Sequence, residues 1–209
     1  MAEELQVISP DMLIENPGMP ARALQQQGEK NIYAEHVENM NVTLQVAPQV
    51  LKQDGQSMPA TFDRTHYNLF VTFDLDFVNG FDSFTMDTDR SLKEYMSDEL
   101  RKEFSTLSDE AIERIKRFPC IFANENTEYG RADEDQMLGF GYIRQIKVRR
   151  EKIKIYPAIM YLFPQQRLNE ALFELDISGS SSFNEFNRTH WCIKKVDLIA
   201  ELRELGFQI

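Results

Sequence analysis

The sequence predicts an α+β protein with a mostly antiparallel sheet, a small curled barrel in its C-terminal half, and helices in the middle and at the C-terminus. Three patterns carry that expectation. Apolar residues alternate from Leu69 to Phe77, a long hairpin pattern runs from Leu138 to Phe163, and helical spacing holds over residues 92–115 and 196–205.

Residues 1–28 hold Pro10, Pro17, Gly18, Pro20 and Gly28 without a persistent period, and they read as a flexible arm. Residues 29–209 read as one α+β domain with a candidate sub-boundary near residue 118. Met40, Val42, Leu44 and Val46 alternate as a strand, and Pro48, Gly55 and Pro59 mark a linker. In the next strand Leu69, Val71, Phe73, Leu75 and Phe77 share one face, with Asn68, Thr72, Asp74 and Asp76 opposite; Phe70 breaks the alternation. Half-burial follows from that pattern, and Asn79-Gly80 ends the strand. Asp89 is the expected N-cap of a helix whose stripe is Leu92, Tyr95, Met96, Leu100 and Phe104. Ser108 caps a second helix that Pro119 stops. Cys120–Ala123 is a short strand and 124–136 a polar loop. Strands 138–148 and 153–163 form a hairpin turning at 149–152, with Pro157 and Pro164 marking an edge or kink. A short helix at 167–172, a strand at 173–177, a flexible loop at 178–182 and a final helix ending at Gly206 complete the chain.

Composition narrows the function. Hydrophobic residues make up 42% of the chain, with 15 Phe and 7 Tyr, enough for a sizeable core. A net charge of −11 argues against general affinity for nucleic acid or anionic membranes, while leaving room for a local basic patch. Cys120 and Cys192 stand apart in apolar surroundings and read as buried thiols, without zinc-type spacing. The acidic start has no signal-peptide core and no stretch is long enough to span a bilayer, so a cytoplasmic location without membrane partners is expected. Neither a phosphate cradle nor another cofactor motif is found, and no cofactor is expected.

The hexapeptide Phe186-Asn187-Arg188-Thr189-His190-Trp191 has a near copy in Phe62-Asp63-Arg64-Thr65-His66-Tyr67. His66 and His190 are therefore candidate acid–base residues, and Arg64, Arg188 and Trp191 candidate binding residues. The pair is similar to the duplicated-histidine phosphoesterases, whose motif is His-x-Thr/Ser. Here the threonines precede the histidines, and Asn68 and Cys192 occupy the +2 positions, so the phosphate-holding residue is missing. A structural alternative is that each copy locks the start of a strand, with Thr bonding the backbone and the aromatic packed inward.

Metal ligation has weaker candidates in His36-x-Glu38 and the Asp74/Asp76 pair, and acids alternating along a strand are ordinarily its wet face; no metal site is expected. The acids from Asp82 to Glu113 read as the wet face of the middle helices. Gly139-Phe140-Gly141-Tyr142-Ile143 resembles the Gly-Phe-Gly-Phe/Tyr-Ile strand of cold-shock and related RNA-binding β-proteins. That resemblance implies base stacking by Phe140 and Tyr142, and Lys147, Arg149, Arg150 and Lys152 on the hairpin would supply phosphate contacts. The competing account is that the glycines let a strand bend and the basic residues guard its edge.

Residues 29–44, Glu-Lys-Asn-Ile-Tyr-Ala-Glu-His-Val-Glu-Asn-Met-Asn-Val-Thr-Leu, resemble the segments that precede effector or sensor domains in bacterial conflict (anti-phage defence) proteins. The resemblance implies a non-enzymatic binding or adaptor subunit with a protein partner. The alternatives are single-stranded nucleic-acid sensing through the 139–154 hairpin, and histidine-dependent phosphodiester chemistry through His66 and His190.

Overall fold

Six strands build one open sheet in the order β2-β5-β4-β3-β1-β6, a curled half-barrel whose outermost strands stay apart. The computed structural model describes residues 63–209. The arm, the Met40–Val46 strand, the linker and His36/Glu38 lie outside the described residues. The strands are β1 (Tyr67–Thr72), β2 (Phe84–Asp87), β3 (Cys120–Asn124), β4 (Met137–Val148), β5 (Lys152–Pro164) and β6 (His190–Lys194). Short helices α1 (Asp98–Phe104), α2 (Asp109–Ile115), α3 (Gln166–Asn169) and α4 (Leu198–Glu204) lie between and after them. All pairings are antiparallel except β1 with β3.

That one parallel pairing spans the candidate sub-boundary near residue 118. β1 is hydrogen-bonded to β3 on one side and β6 on the other, so the sheet is continuous there.

β1 corrects the half-buried expectation. All six of its residues are buried, because it lies inside the sheet and both faces are covered. Phe70 stacks on Phe122 at 5.1 Å and on Trp191 at 4.9 Å in one core, together with Phe104, Ile115 and Phe118. Tyr67, Leu69 and Val71 join Ile121, Cys192, Leu198 and Leu202 in the other. Phe70, which breaks the alternation in sequence, is thus the anchor of the second face. The strand also ends earlier than its pattern: Asp74 takes φ 72° and Phe73 is 78% exposed. Asp74 and Asp76 therefore do not share a strand face. Asp76 instead caps a turn, accepting from the Val78 and Asn79 amides at 3.1 and 2.8 Å.

The middle helix is shorter than its stripe. Leu92 and Tyr95 both have φ 57°, which an α-helix forbids, and Ser97 rather than Asp89 caps α1 by accepting from the Leu100 amide. α2 begins at the expected Ser108 cap. Residues 172–176 form turns, and no strand runs over 173–177. In the hairpin, a register shift between Ile143 and Gln145 faces Pro157, and the Arg144 side chain donates to the Pro157 carbonyl at 2.8 Å. The bulge fits the strand to a residue without an amide hydrogen, and β2 pairs only as far as Ile155, leaving Pro157 on the sheet edge. Among the described residues, no helix is long and apolar enough to cross a membrane.

Candidate functional site

The two Arg-Thr-His copies occupy opposite ends of the β1–β6 pair. His190 lies opposite Val71, whereas His66 precedes Tyr67, which lies opposite Lys194. At the rise of an antiparallel strand the histidines are about 17 Å apart along the sheet. They also face different cores: His66 packs on Phe118 at 5.2 Å, while His190 shares its face with Val71 and Cys192. The structure does not bring them to one substrate.

The first copy is a shallow turn. Asp63 accepts the Thr65 amide at 2.9 Å, and the Thr65 hydroxyl lies 2.8 Å from His66 Nδ1. Burial pushes the half-buried His66 imidazole below its ordinary pKa, with Lys195 and Arg114 adding to the shift against the pull of Asp63. Arg64 pairs with Asp197 at 2.8 Å, the same carboxylate that caps α4 through the Ala200 amide.

The second copy is built inward. A capping box between Asn184 and Asn187 sets the 3-10 turn Glu185–Asn187 and turns Glu185 into the core. The two-residue period of β6 then places His190, Cys192 and Lys194 on the same face as Glu185. Lys194 Nζ donates to Glu185 Oε1 at 2.7 Å, and the Ser178 amide donates to the same oxygen at 2.6 Å. Cys192 Sγ lies 3.7 Å from Oε2. Burial alone would raise the Glu185 pKa, but His190, Lys194 and the Ser178 amide outweigh it and hold the carboxyl below its usual range. Burial pushes the Cys120 and Cys192 thiols up, so neither is a ready nucleophile. The signal for this cluster was the mismatch between the copies: Thr61, Asn68 and Phe70 stand where the second has Glu185, Cys192 and Lys194.

Trp191 is fully buried and donates its indole hydrogen to Asn68 at 3.1 Å, which corrects its reading as a binding residue. Arg188 pairs with Glu94 at 3.2 Å at the surface. Asn187, where the first copy has Asp63, holds a neighbouring loop. Its Oδ1 accepts the Gly130 amide at 3.0 Å, and its amide donates to the Glu128 carbonyl at 2.8 Å.

That loop carries Tyr129, whose ring lies 6.1 Å from Phe183. Tyr129 is 77% exposed, Phe183 49% and Phe173 93%. They line two adjoining hollows with Glu128, Glu170 and Glu174. Gly130 holds the two loops together, since a Cβ there would lie 2.1 Å from the Ser181 carbonyl oxygen. Sequence reasoning missed this surface because its aromatics come from three separate loops.

The hairpin differs from the base-stacking expectation. Phe140 and Tyr142 are buried, at 3% and 6% exposure, and Phe140 packs with Leu138 in the core that holds Tyr67 and Cys192. The aromatic that meets the basic side chains is the half-buried Tyr156 instead. Lys147 and Lys154 sit over its ring at 4.8 and 5.4 Å, and Lys147 Nζ lies 3.2 Å from its hydroxyl, pulling the phenol below its ordinary pKa. Arg149 and Arg150 are exposed at the tip, and Lys152 pairs with Asp87.

No family model matches the chain, and neither does any curated protein or solved structure.

Proposed function

We propose that this chain is a non-enzymatic binding subunit of a bacterial multi-protein system, of the anti-phage kind that its 29–44 segment resembles. The observation that supports the reading best is the exposed aromatic trio Tyr129, Phe173 and Phe183. Exposed aromatics gathered on one surface are typical of protein recognition, where such side chains dominate interface energetics. Their loops are held by Asn187 and by the Gly130–Ser181 approach, so little ordering would oppose binding. Glu128, Glu170 and Glu174 outnumber Arg131 around them, which favours a partner segment that mixes apolar with basic side chains.

Co-expression with the proteins encoded beside its gene tests this reading. The wild type should co-purify with one of them, and a combined Tyr129→Ser, Phe173→Ser and Phe183→Ser variant should lose that partner while keeping its melting temperature. The reading fails if the variant still holds the partner, or if the wild type retains none.

A second reading, single-stranded nucleic-acid binding, is favoured by the Lys147–Tyr156–Lys154 arrangement beside Arg149 and Arg150. A base stacked on Tyr156 would place its phosphates among these cations. It predicts a salt-sensitive mobility shift with labelled single strands that is lost on Lys147→Glu with Lys154→Glu; no shift at low salt would rule it out.

A further inference from the structure

We infer that Glu185, His190 and Cys192 form a buried site for one thiophilic divalent cation of the zinc class. Their three donor atoms lie within 4.8 Å of one another, and all three residues are buried. Glu185 Oε2 is 3.3 Å from His190 Nε2 and 3.7 Å from Cys192 Sγ. A tetrahedral zinc ion, at about 2.0 Å from oxygen and nitrogen and about 2.3 Å from sulfur, sets its donors roughly 3.3–3.6 Å apart. Both distances from Glu185 Oε2 are close to that spacing, and the remaining His190–Cys192 edge is within 4.8 Å.

The histidine tautomer is a separate indication. His190 Nδ1 lies 2.8 Å from the Arg188 carbonyl, which can only accept, so Nδ1 carries the hydrogen. In the neutral ring Nε2 then holds a lone pair. That nitrogen is buried, makes no hydrogen bond of good geometry, and has the Glu185 Oε2 carboxylate oxygen 3.3 Å away as its polar neighbour. Two lone pairs facing each other in a dry site repel, so something positive must lie between them: a second ring proton or a metal ion. Histidines that ligate metals characteristically donate their other ring hydrogen to a carbonyl or carboxylate, as His190 does to Arg188.

The carboxylate is also prepared for one-oxygen ligation. Oε1 is occupied by the Lys194 ammonium and the Ser178 amide, which fix its orientation and leave Oε2 to the cation. Lys194 is not a donor to the ion. Starting from the imidazolium and the thiol, binding releases two protons to solvent, one from His190 Nε2 and one from Cys192 Sγ. The net charge of the pocket is unchanged by the exchange. The ion would tie the 3-10 turn at Glu185 to β6.

Because the site is enclosed, the test refolds the full chain from denaturant and chelator with one equivalent of cobalt(II). One cobalt should be retained per chain, with tetrahedral visible bands and a thiolate-to-cobalt charge-transfer band in the near ultraviolet. Cys192→Ala should remove the charge-transfer band, and Cys120→Ala, altering the other buried thiol, should keep it; circular dichroism checks the fold of each. The inference is overturned if refolded wild type shows no charge-transfer band, or if the band survives Cys192→Ala. Nitrogen-15 spectra of the wild type with equimolar zinc give a test that needs no variant. A His190 that stays doubly protonated at neutral pH would mean that a proton, not a metal, fills the gap.

Discussion

The two Arg-Thr-His copies share four residues of six and almost nothing of their surroundings. At the first, the turn is local: Asp63 and Thr65 bond each other, His66 is half-buried, and Arg64 reaches an exposed carboxylate. At the second, the same side-chain types are drawn into the protein. Thr189 bonds Glu125, His190 and Trp191 are fully buried, and a charged cluster forms beneath β6. The motif therefore sets how a chain enters a strand, while the residues flanking it decide what that strand start holds. Glu185, Cys192 and Lys194 make the second copy a charged core element, whereas the first is a shallow turn around Asp63, Arg64 and Thr65 that leads into a buried strand.

The comparison breaks most sharply at Glu185. Glu185→Gln leaves the Lys194 ammonium buried without its counter-charge and should cost about 3–5 kcal/mol in urea unfolding. The same measurement on Asp63→Asn, in the exposed copy, should give less than about 1 kcal/mol. If the two losses were equal, the contrast between the copies would collapse. Next comes the pair of aromatics: Trp191→Phe leaves Asn68 Oδ1 without its indole donor and should cost about 1–3 kcal/mol. Tyr67→Phe removes the donor to the Leu175 carbonyl and should fall at or below that range, since one accepting carbonyl loses one bond.

Acidity separates the histidines in a third way. The folded-state pKa of His66 lies below its ordinary 6.5, so the unfolded chain takes up the proton first. Stability should fall as pH drops below about 6.5 and level off under the folded-state pKa. His66→Asn should flatten that part of the profile, and an unchanged profile would remove His66 as its source. The smallest effects belong to the arginines. Arg64→Ala and Arg188→Ala each break an exposed pair, with Asp197 and Glu94, and should cost about 0–1 kcal/mol. A variant that keeps its melting temperature yet loses a partner would give that arginine a binding role.

Much of the fold could be read from local pattern. The hairpin, the Ser108 cap, the Gly206 stop and the short strand at Cys120 all depend on residues near one another in sequence. The misread elements depended on partners far along the chain. β1 looked half-buried because alternation reports one face, and nothing local shows that β6, more than a hundred residues later, brings Trp191 over Phe70. The 92–104 stripe has helical spacing, yet Leu92 donates to the Trp191 carbonyl at 2.7 Å and leaves helical geometry to do so. Phe140 and Tyr142 carry the glycine-aromatic pattern of a stacking strand and are buried, while Tyr156, outside any motif, faces the lysines.

By itself, then, the sequence determined the class of fold, the hairpin, the Ser108 cap and the existence of two related strand starts, because each follows from side-chain periodicity or from a bond a few residues long. Only the tertiary structure decided what the strand starts contain. Pairing β6 against β1 sends the two histidines to opposite faces, and closing the Ser178–Asn187 loop gathers Glu185, Cys192 and Lys194 around one of them. Burial, charge pairing and the orientation of His190 all arise from contacts that exist only once distant segments share a core.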